Sequence, residues 1–166
     1  MKLPLNITIS LFVICTVTSH ASGLAQGKRF ETTGYFSMFS YGKNISLQTE
    51  ISGGINFFDY MNISVTANAG YRNYSLETND YLSASIGRSL GDHEVRLGLI
   101  GGIYTLWFSG YQATIPCLGG EALYSFTINP GLSVRIKERI CNFSDNHHNL
   151  ISTSTLVGLC FAFGSR

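Results

Sequence analysis

The densest group of side chains that could do chemistry lies near the C-terminus, in the run Ser144, Asp145, Asn146, His147 and His148. A serine nucleophile needs a histidine within hydrogen-bond reach and an acid that orients this histidine. Neighbours on one flexible loop seldom hold that geometry, so the run is better interpreted as a solvated outer loop. Adjacent histidines also need further metal ligands, which the sequence does not indicate. We therefore predict no catalytic residue, no metal and no cofactor, and an enzyme is the less favoured interpretation.

A second chemical possibility is a disulfide between Cys117 and Cys141. A hairpin about 129–131 would point both side chains to one face, one register step from direct opposition. Diagonal neighbours lie ~7–8 Å apart, whereas a disulfide needs Cα atoms roughly 4.4–6.8 Å apart. A small shift would allow the bond in an oxidising compartment, and two unpaired small residues are the alternative. Cys160 is expected to stay free near the opposite rim.

The third possibility is ion pairing, because charges recur on the polar side of alternating segments. That side carries Glu31, Glu50, Arg72, Glu94, Arg96, Glu121, Arg135, Lys137 and Arg139. Isolated buried charges are costly, so acids and bases that face one another should pair. We predict a charge network formed by Glu50, Arg96, Glu121, Arg135, Lys137 and Arg139. A salt-bridged plug is favoured, and a proton or ion pathway is the alternative.

Long strands must position these side chains. Apolar and polar residues alternate strictly over 45–57 and 61–71, which indicates strands with one apolar face. Ordinary strands have about 5–6 residues, whereas a strand that crosses a bilayer needs ~9–11. Similar segments make eight strands in all, over 29–40, 45–57, 61–71, 81–90, 94–107, 118–128, 132–140 and 151–163.

The connections are predicted to alternate in length along the sequence. Tight turns are predicted at 58–59, 91–93 and 129–131, and longer polar loops at 73–80, 108–115 and 142–149. The short turn at 42–44 is the exception. Short inner turns and longer outer loops are typical of bacterial outer-membrane barrels.

The distribution of charge indicates which face meets lipid. The apolar side carries only Arg88 and Glu138, which we place close to strand ends. A lipid-facing Arg or Lys costs about 2–4 kcal/mol at the midplane and much less near the interface. The sequence therefore predicts an all-β fold, a closed antiparallel up-and-down transmembrane barrel of eight strands. A secreted, soluble lipocalin-like ligand-binding barrel, apolar inside, is the alternative.

The N-terminus predicts a route to this membrane. Residues 1–25 combine Lys2, a short apolar run and small residues, as a secretory signal peptide does. Cleavage is expected after Ala25, with Ala21 as a second option, and residues 26–166 would form the barrel. The net charge of +1 and the absence of a basic run give no reason to expect nucleic acid.

The closing segment 157–163 resembles the last strand of small eight-stranded bacterial outer-membrane β-barrel proteins. A second, fainter resemblance to the lipid A palmitoyltransferase type of barrel rests on Gly70-Tyr71-Arg72-Asn73, Arg96-Leu97-Gly98-Leu99 with Gly101-Gly102, and Ile115-Pro116 before Ala122-Leu123-Tyr124-Ser125. That enzyme family uses a His in its first outer loop and an Asp-Ser pair in the next. Here these places hold Tyr41-Gly42-Lys43-Asn44 and Asn73-Tyr74. The resemblance implies the fold without the catalytic residues.

These observations predict an integral protein of the bacterial outer membrane with a structural or surface-interaction role and no open pore. The expected partners are outer-membrane lipid and lipopolysaccharide, and we expect a monomer. A lipid A-modifying enzyme on the same barrel is the alternative.

Overall fold

The protein folds as a closed barrel of eight antiparallel strands. The computed structural model describes residues 28–41, 44–57, 60–72, 75–108, 111–144 and 149–163. The strands are β1 (Lys28–Tyr41), β2 (Asn44–Phe57), β3 (Met61–Arg72), β4 (Ser75–Leu90), β5 (His93–Phe108), β6 (Tyr111–Asn129), β7 (Leu132–Ser144) and β8 (Asn149–Phe163). Each strand pairs with its neighbours in sequence, and β1 pairs with β8 to close the sheet. The predicted fold class is confirmed. Among the residues described, no helix has the length and apolar character needed to span a membrane.

The strands are longer than the sequence predicted, and the prediction of three long outer loops was wrong. β4 begins at Ser75, β6 begins at Tyr111 and β7 continues to Ser144, so consecutive strands at this end are only two to four residues apart. The segment 73–80 was predicted as a loop because polar residues such as Glu77 and Asn79 are common in loops. Both side chains are in fact buried at positions that continue the inward face of β4.

The barrel exposes its apolar side chains and buries its polar ones. Exposed residues on the outer wall include Phe36, Leu82, Ile86, Leu97, Leu99, Leu118, Ile140, Ile151 and Phe163. Buried inward residues include Glu31, Thr33, Glu50, Ser52, Asn62, Thr66, Ser83, Ser85, Arg96, Ser125, Arg135, Lys137, Arg139, Ser152 and Ser154. A lipocalin-like barrel would have the opposite orientation, so that alternative was wrong.

Exposed aromatic side chains form part of a girdle at the end of the barrel where β1 begins and β8 ends, which is called the inner end here. Tyr124, Phe126 and Phe161 are exposed there. The ring of His93 at the start of β5 lies 5.3 Å from that of Phe126, and its Nδ1 lies 2.6 Å from the hydroxyl of Tyr124. Such girdles mark the level at which a barrel meets the membrane interface. Gly91 provides the positive φ of 64° that the adjoining turn requires.

Inward-facing glycines make room for large interior side chains. A Cβ added at Gly158 would lie 2.5 Å from Cδ1 of Tyr35, and one at Gly102 would lie 2.9 Å from Cδ1 of Tyr81. Real Cβ atoms do not approach other atoms so closely, so these aromatic rings occupy space that only glycine leaves open.

Candidate functional site

The candidate functional site is the filled interior of the barrel, which begins at the inner end with an ion cluster around Glu31. Arg135 binds this carboxylate in a bidentate manner, with Nη2–Oε2 at 2.6 Å and Nη1–Oε1 at 2.9 Å. Arg96 adds a bond from Nη1 to Oε1 of Glu31 at 3.0 Å and contacts Glu94 at 2.7 Å. The cluster therefore joins β1, β5 and β7 across the lumen.

Amide side chains complete the hydrogen bonding of the same carboxylate. Asn56 and Asn62 each donate to Glu31 at 3.1 Å, and Asn62 also donates to Oδ1 of Asn56 at 2.8 Å. Buried charges need this kind of saturation, because the desolvation cost exceeds the Coulombic gain when lone pairs stay unsatisfied. The four residues that donate to Glu31 each lie on a different strand, so this cluster links strands around the barrel.

A second ion cluster lies farther from the inner end and is centred on Glu50. Lys137 Nζ contacts Oε1 of Glu50 at 2.7 Å, and Arg139 contacts both carboxylate oxygens at 2.8 and 3.1 Å. Glu121 approaches the same two cations at 3.8 and 3.5 Å. Two acids and two bases therefore share one layer of the barrel.

Aromatic rings cover the cations of this second cluster. Lys137 Nζ lies 4.3 Å from the ring centroid of Tyr35, and Arg139 Cζ lies 4.3 Å from that of Tyr81. A cation over an aromatic face gains electrostatic stabilisation, which is larger when water is excluded. Both cations of this cluster therefore gain a second source of electrostatic stabilisation besides the carboxylates.

An apolar layer occupies the interior on the outer side of the charged clusters, and the sequence-based prediction missed it. Its buried members are Tyr81, Ile100, Cys117, Cys141 and Phe143, with Tyr104 and Ile115 packed against them. The rings of Tyr104 and Phe143 lie 5.2 Å apart. The signal was available, because Ile100 and Phe143 stand at inward positions of otherwise polar faces. Because the two ion clusters and this apolar layer follow one another along the barrel axis, we predict that ions cannot cross the interior.

The structure places all six residues of the predicted charge network in the interior. Glu50, Glu121, Lys137 and Arg139 form one cluster, whereas Arg96 and Arg135 belong to the cluster around Glu31. The predicted charge network omitted Glu31, the centre of the inner cluster, although the sequence analysis placed this residue on the polar side of its strand. Glu77 was missed entirely, and it accepts a hydrogen bond from Gln48 at 3.3 Å.

The lipid-facing charges were predicted at strand ends, and this is wrong for Glu138. Arg88 is exposed near the end of β4, as expected, but Glu138 is exposed in the middle of β7. Glu138 lies between Lys137 and Arg139 in the strand, and because those two side chains point inward, its own side chain points outward. The error arose because the predicted seventh strand stopped at residue 140, four residues too early.

The two cysteines occupy the predicted positions. Cys117 pairs with Phe143 and Cys141 with Gly119, so the thiols are diagonal neighbours across β6 and β7. Both are buried and both are free. Cys160 is free and buried on β8 near the inner rim.

The described residues line two cavities in the interior. A cavity of about 20 Å³ lies between the two ion clusters and is lined in part by Tyr35, Asn62, Arg96 and Lys137. It has room for about one water molecule. A larger polar cavity of about 200 Å³ lies at the inner mouth, beside Arg29 and Glu94. No continuous channel is formed by these two cavities, because the Glu31 cluster separates them.

Of the weaker outer-loop candidates, only Ser144 is among the described residues. Ser144 is the exposed last residue of β7, while Asp145, His147 and His148 lie outside the described residues. The stretches 42–43 and 73–74, which correspond to the catalytic loops of the palmitoyltransferase type, are likewise outside them. Within the described ranges no three His, Cys, Asp or Glu residues are grouped to hold a metal ion.

Comparison with known proteins gives similarity of fold only. No family model and no curated protein matches the chain. Among solved structures, Neisserial surface protein A aligns with a TM-score of 0.67 and 15% identity over 84% of this chain and 99% of that one. The N-terminal barrel domain of Pseudomonas aeruginosa OprF gives 0.56 and 14% over 84% and 99%. The attachment invasion locus protein Ail of Yersinia pestis gives 0.56 and 12% over 83% and 99%. The chain therefore has the fold of small, eight-stranded bacterial outer-membrane barrels.

Proposed function

We propose that the protein is an integral barrel of the Gram-negative outer membrane, with a structural or surface-interaction role and no open pore. The observation that carries this proposal is the filled interior, in which two ion clusters and an apolar layer follow one another along the axis. A transport channel needs an aqueous path, and eight strands enclose a lumen that side chains fill. The surfaces available for function are therefore the lipid-facing wall and the two ends of the barrel.

The outer wall supports membrane placement. Exposed Leu, Ile, Val and Phe side chains occupy successive outward positions on β4 to β8, and exposed aromatic residues lie at the inner end. Such a wall would be an aggregation surface in water but is well solvated by acyl chains. Outer-membrane lipid and lipopolysaccharide are therefore the partners we propose, reached after secretion directed by residues 1–25.

A lipid A-modifying activity receives no comparable support. Such an enzyme needs a nucleophile, a base and an orienting acid at one place on the wall. In the described ranges, the outward polar residues near the outer end of the β6–β7 hairpin are Gln112, Thr114, Asn142 and Ser144, none of which is a base.

The test of membrane placement is fractionation of cells that express the full chain, followed by gel electrophoresis with and without heating. We expect the protein in the outer-membrane fraction and a faster-migrating band before heating, because a closed barrel resists unfolding by detergent. As a control, the variant Ile100→Asp places an uncompensated carboxylate in the apolar layer and should weaken the fast-migrating form. Recovery of the wild-type protein as a detergent-free soluble monomer would overturn the proposal.

A further inference from the structure

The outer end of β6 has one edge that no described strand covers. Residues 111–116 pair with β5 on one side. On the other side, pairing with β7 begins only at Cys117, opposite Phe143, and none of the described residues pairs with 111–116 there. β6 has 19 residues whereas β7 has 13, so β6 continues beyond its neighbour. We call the unpaired side of residues 111–116 the free edge.

The connection between β7 and β8 is too short to cover the whole free edge. Ser144 and Asn149 pair with each other, and only residues 145–148 join them. Two of these residues can ascend beside β6 before the other two must return. In the register of the β6–β7 pair, the connection can therefore reach Ile115 and Thr114 at most.

The outward side chains of β6 place the free edge above the lipid. Outward positions are apolar or small as far as Leu118, and the next three are Pro116, Thr114 and Gln112, all of them exposed. Pro116 lies ten residues before Phe126 of the inner girdle. This separation corresponds to about 33 Å of strand, or roughly 25 Å of height at a tilt of ~40°, which equals the ~25 Å apolar band of such barrels. The free edge therefore begins where the lipid ends.

The sequence of the free edge does not protect it against pairing. Residues 111–115 contain no charged residue and no proline. Natural edge strands usually carry such residues, because a row of unpaired N–H and C=O groups is a template for another strand. Pro116, which has no N–H to donate, stands where the part of β6 that is paired on both sides ends. Beyond it, five consecutive residues are available for backbone pairing.

We propose that the free edge binds an extended peptide segment of another protein at the cell surface, as an added antiparallel strand. Ala113 and Ile115 are half-buried on the inward side, and Ile115 packs against the apolar layer. Gln112 and Thr114 are exposed on the outward side. The bound segment should therefore alternate apolar side chains, directed to the lumen, with polar ones. The proposal specifies the surface-interaction role proposed above and rests on it.

A second copy of the chain fits the free edge poorly. Two barrels inserted in one membrane have the same orientation, so both copies of β6 run from the outer end to the inner end. Two such edges cannot pair antiparallel, and parallel pairing is less stable per residue. A separate extended segment can approach in either direction.

The test is binding of a fluorescent peptide to the protein purified in detergent micelles, measured by fluorescence anisotropy. The probe is an uncharged peptide of alternating valine and threonine, and the control probe has the same composition without the alternation. We expect the alternating probe to bind more tightly. It should also slow the hydrogen exchange of alternate backbone amides within 111–115, because adjacent residues direct their N–H groups to opposite edges.

A pair of threonine substitutions separates the free edge from the rest of the outer end. Thr114→Lys puts on the free edge a residue type that blocks strand addition, and it should weaken binding of the alternating probe about tenfold. Thr153→Lys is the matched control, because Thr153 is exposed on β8 and is paired on both sides, with Ser40 and with Ile140. This variant should bind the probe like the wild type.

Equal binding by the two variants, or equal binding of the two probes, would overturn the proposal. Uniformly slow exchange over residues 111–115 before the probe is added would also overturn it, since the chain itself or a second copy would then occupy the edge. Heat-modifiable migration of the same samples reports separately whether the barrel is folded, and the fractionation described above reports whether it reaches the outer membrane.

Discussion

At the scale of single residues, the structure depends on how each interior charge is satisfied. Glu50 is fully buried and contacts both Lys137 and Arg139. Arg135 and Glu31 form the equivalent contact in the inner cluster. A buried ion pair adds little net stability, but removal of one partner leaves the other charge uncompensated. Substitutions that break an interior ion pair should therefore lower the stability of the barrel more than substitutions on the lipid-facing wall.

The first prediction is that Glu50→Gln destabilises the barrel by about 3–5 kcal/mol, because Lys137 and Arg139 then share a single acid, Glu121. The measurement is the free energy of unfolding in urea, followed by the fluorescence of Trp107 in vesicles. Glu138→Gln is the control, since that residue lies on the outer wall, and it should change the free energy by less than about 1 kcal/mol. Equal stability of the two variants would contradict the assignment of Glu50 to a buried cluster.

The second prediction concerns Cys117 and Cys141. The two residues are diagonal neighbours on paired strands, so a small shift should let an oxidising periplasm join them, while Cys160 stays free. Thiol labelling of mature protein, denatured without a reductant, should detect one reactive cysteine. Three reactive cysteines would show that the pair remains reduced.

At the scale of elements, the hairpins and the register could be predicted from the sequence. The turn at 129–131 sets Cys117 opposite Phe143, which is the register expected for strands about that centre. The outer ends of the strands could not be predicted in this way. Residues such as Glu77 and Asn79 have the composition of a loop, and only their parity shows that they continue an inward face.

The apolar interior layer was also missed in the sequence analysis, for a related reason. A polar face was taken as uniform, whereas Ile100 and Phe143 interrupt it. Alternation identifies which residues share a face but does not show which levels of neighbouring strands meet. That depends on the stagger of the whole barrel, which is set by all eight registers together.

The third prediction tests how elements fit against each other. Gly158→Ala should destabilise the barrel by about 1–3 kcal/mol, because the added Cβ overlaps the carbonyl oxygen of Gly34 and the ring of Tyr35. Gly34→Ala is the matched control, since a Cβ there meets no atom within 4 Å. The same unfolding measurement applies. If both alanines are tolerated equally, the close approach of Gly158 on β8 to β1 is incorrect.

At the scale of the whole molecule, the described part of the barrel has a filled interior and an apolar wall. Its inner cluster, its Glu50 cluster and its apolar layer lie at different levels along the axis, and we infer that together they close the lumen. A proton or ion pathway, the alternative interpretation of the charged residues, would need a continuous hydrated route. The apolar layer opposes such a route because it offers ions no replacement for their hydration shell.

Conductance of purified protein in planar lipid bilayers tests this account most directly. We predict no steady channels for the wild type at any applied voltage that the bilayer tolerates. The double variant Ile100→Gly with Phe143→Gly, which removes two large side chains from the apolar layer, should conduct more than the wild type if it remains heat-modifiable. Steady, ohmic channels from wild-type protein that retains heat-modifiable migration would contradict the sealed interior, and with it the proposed role.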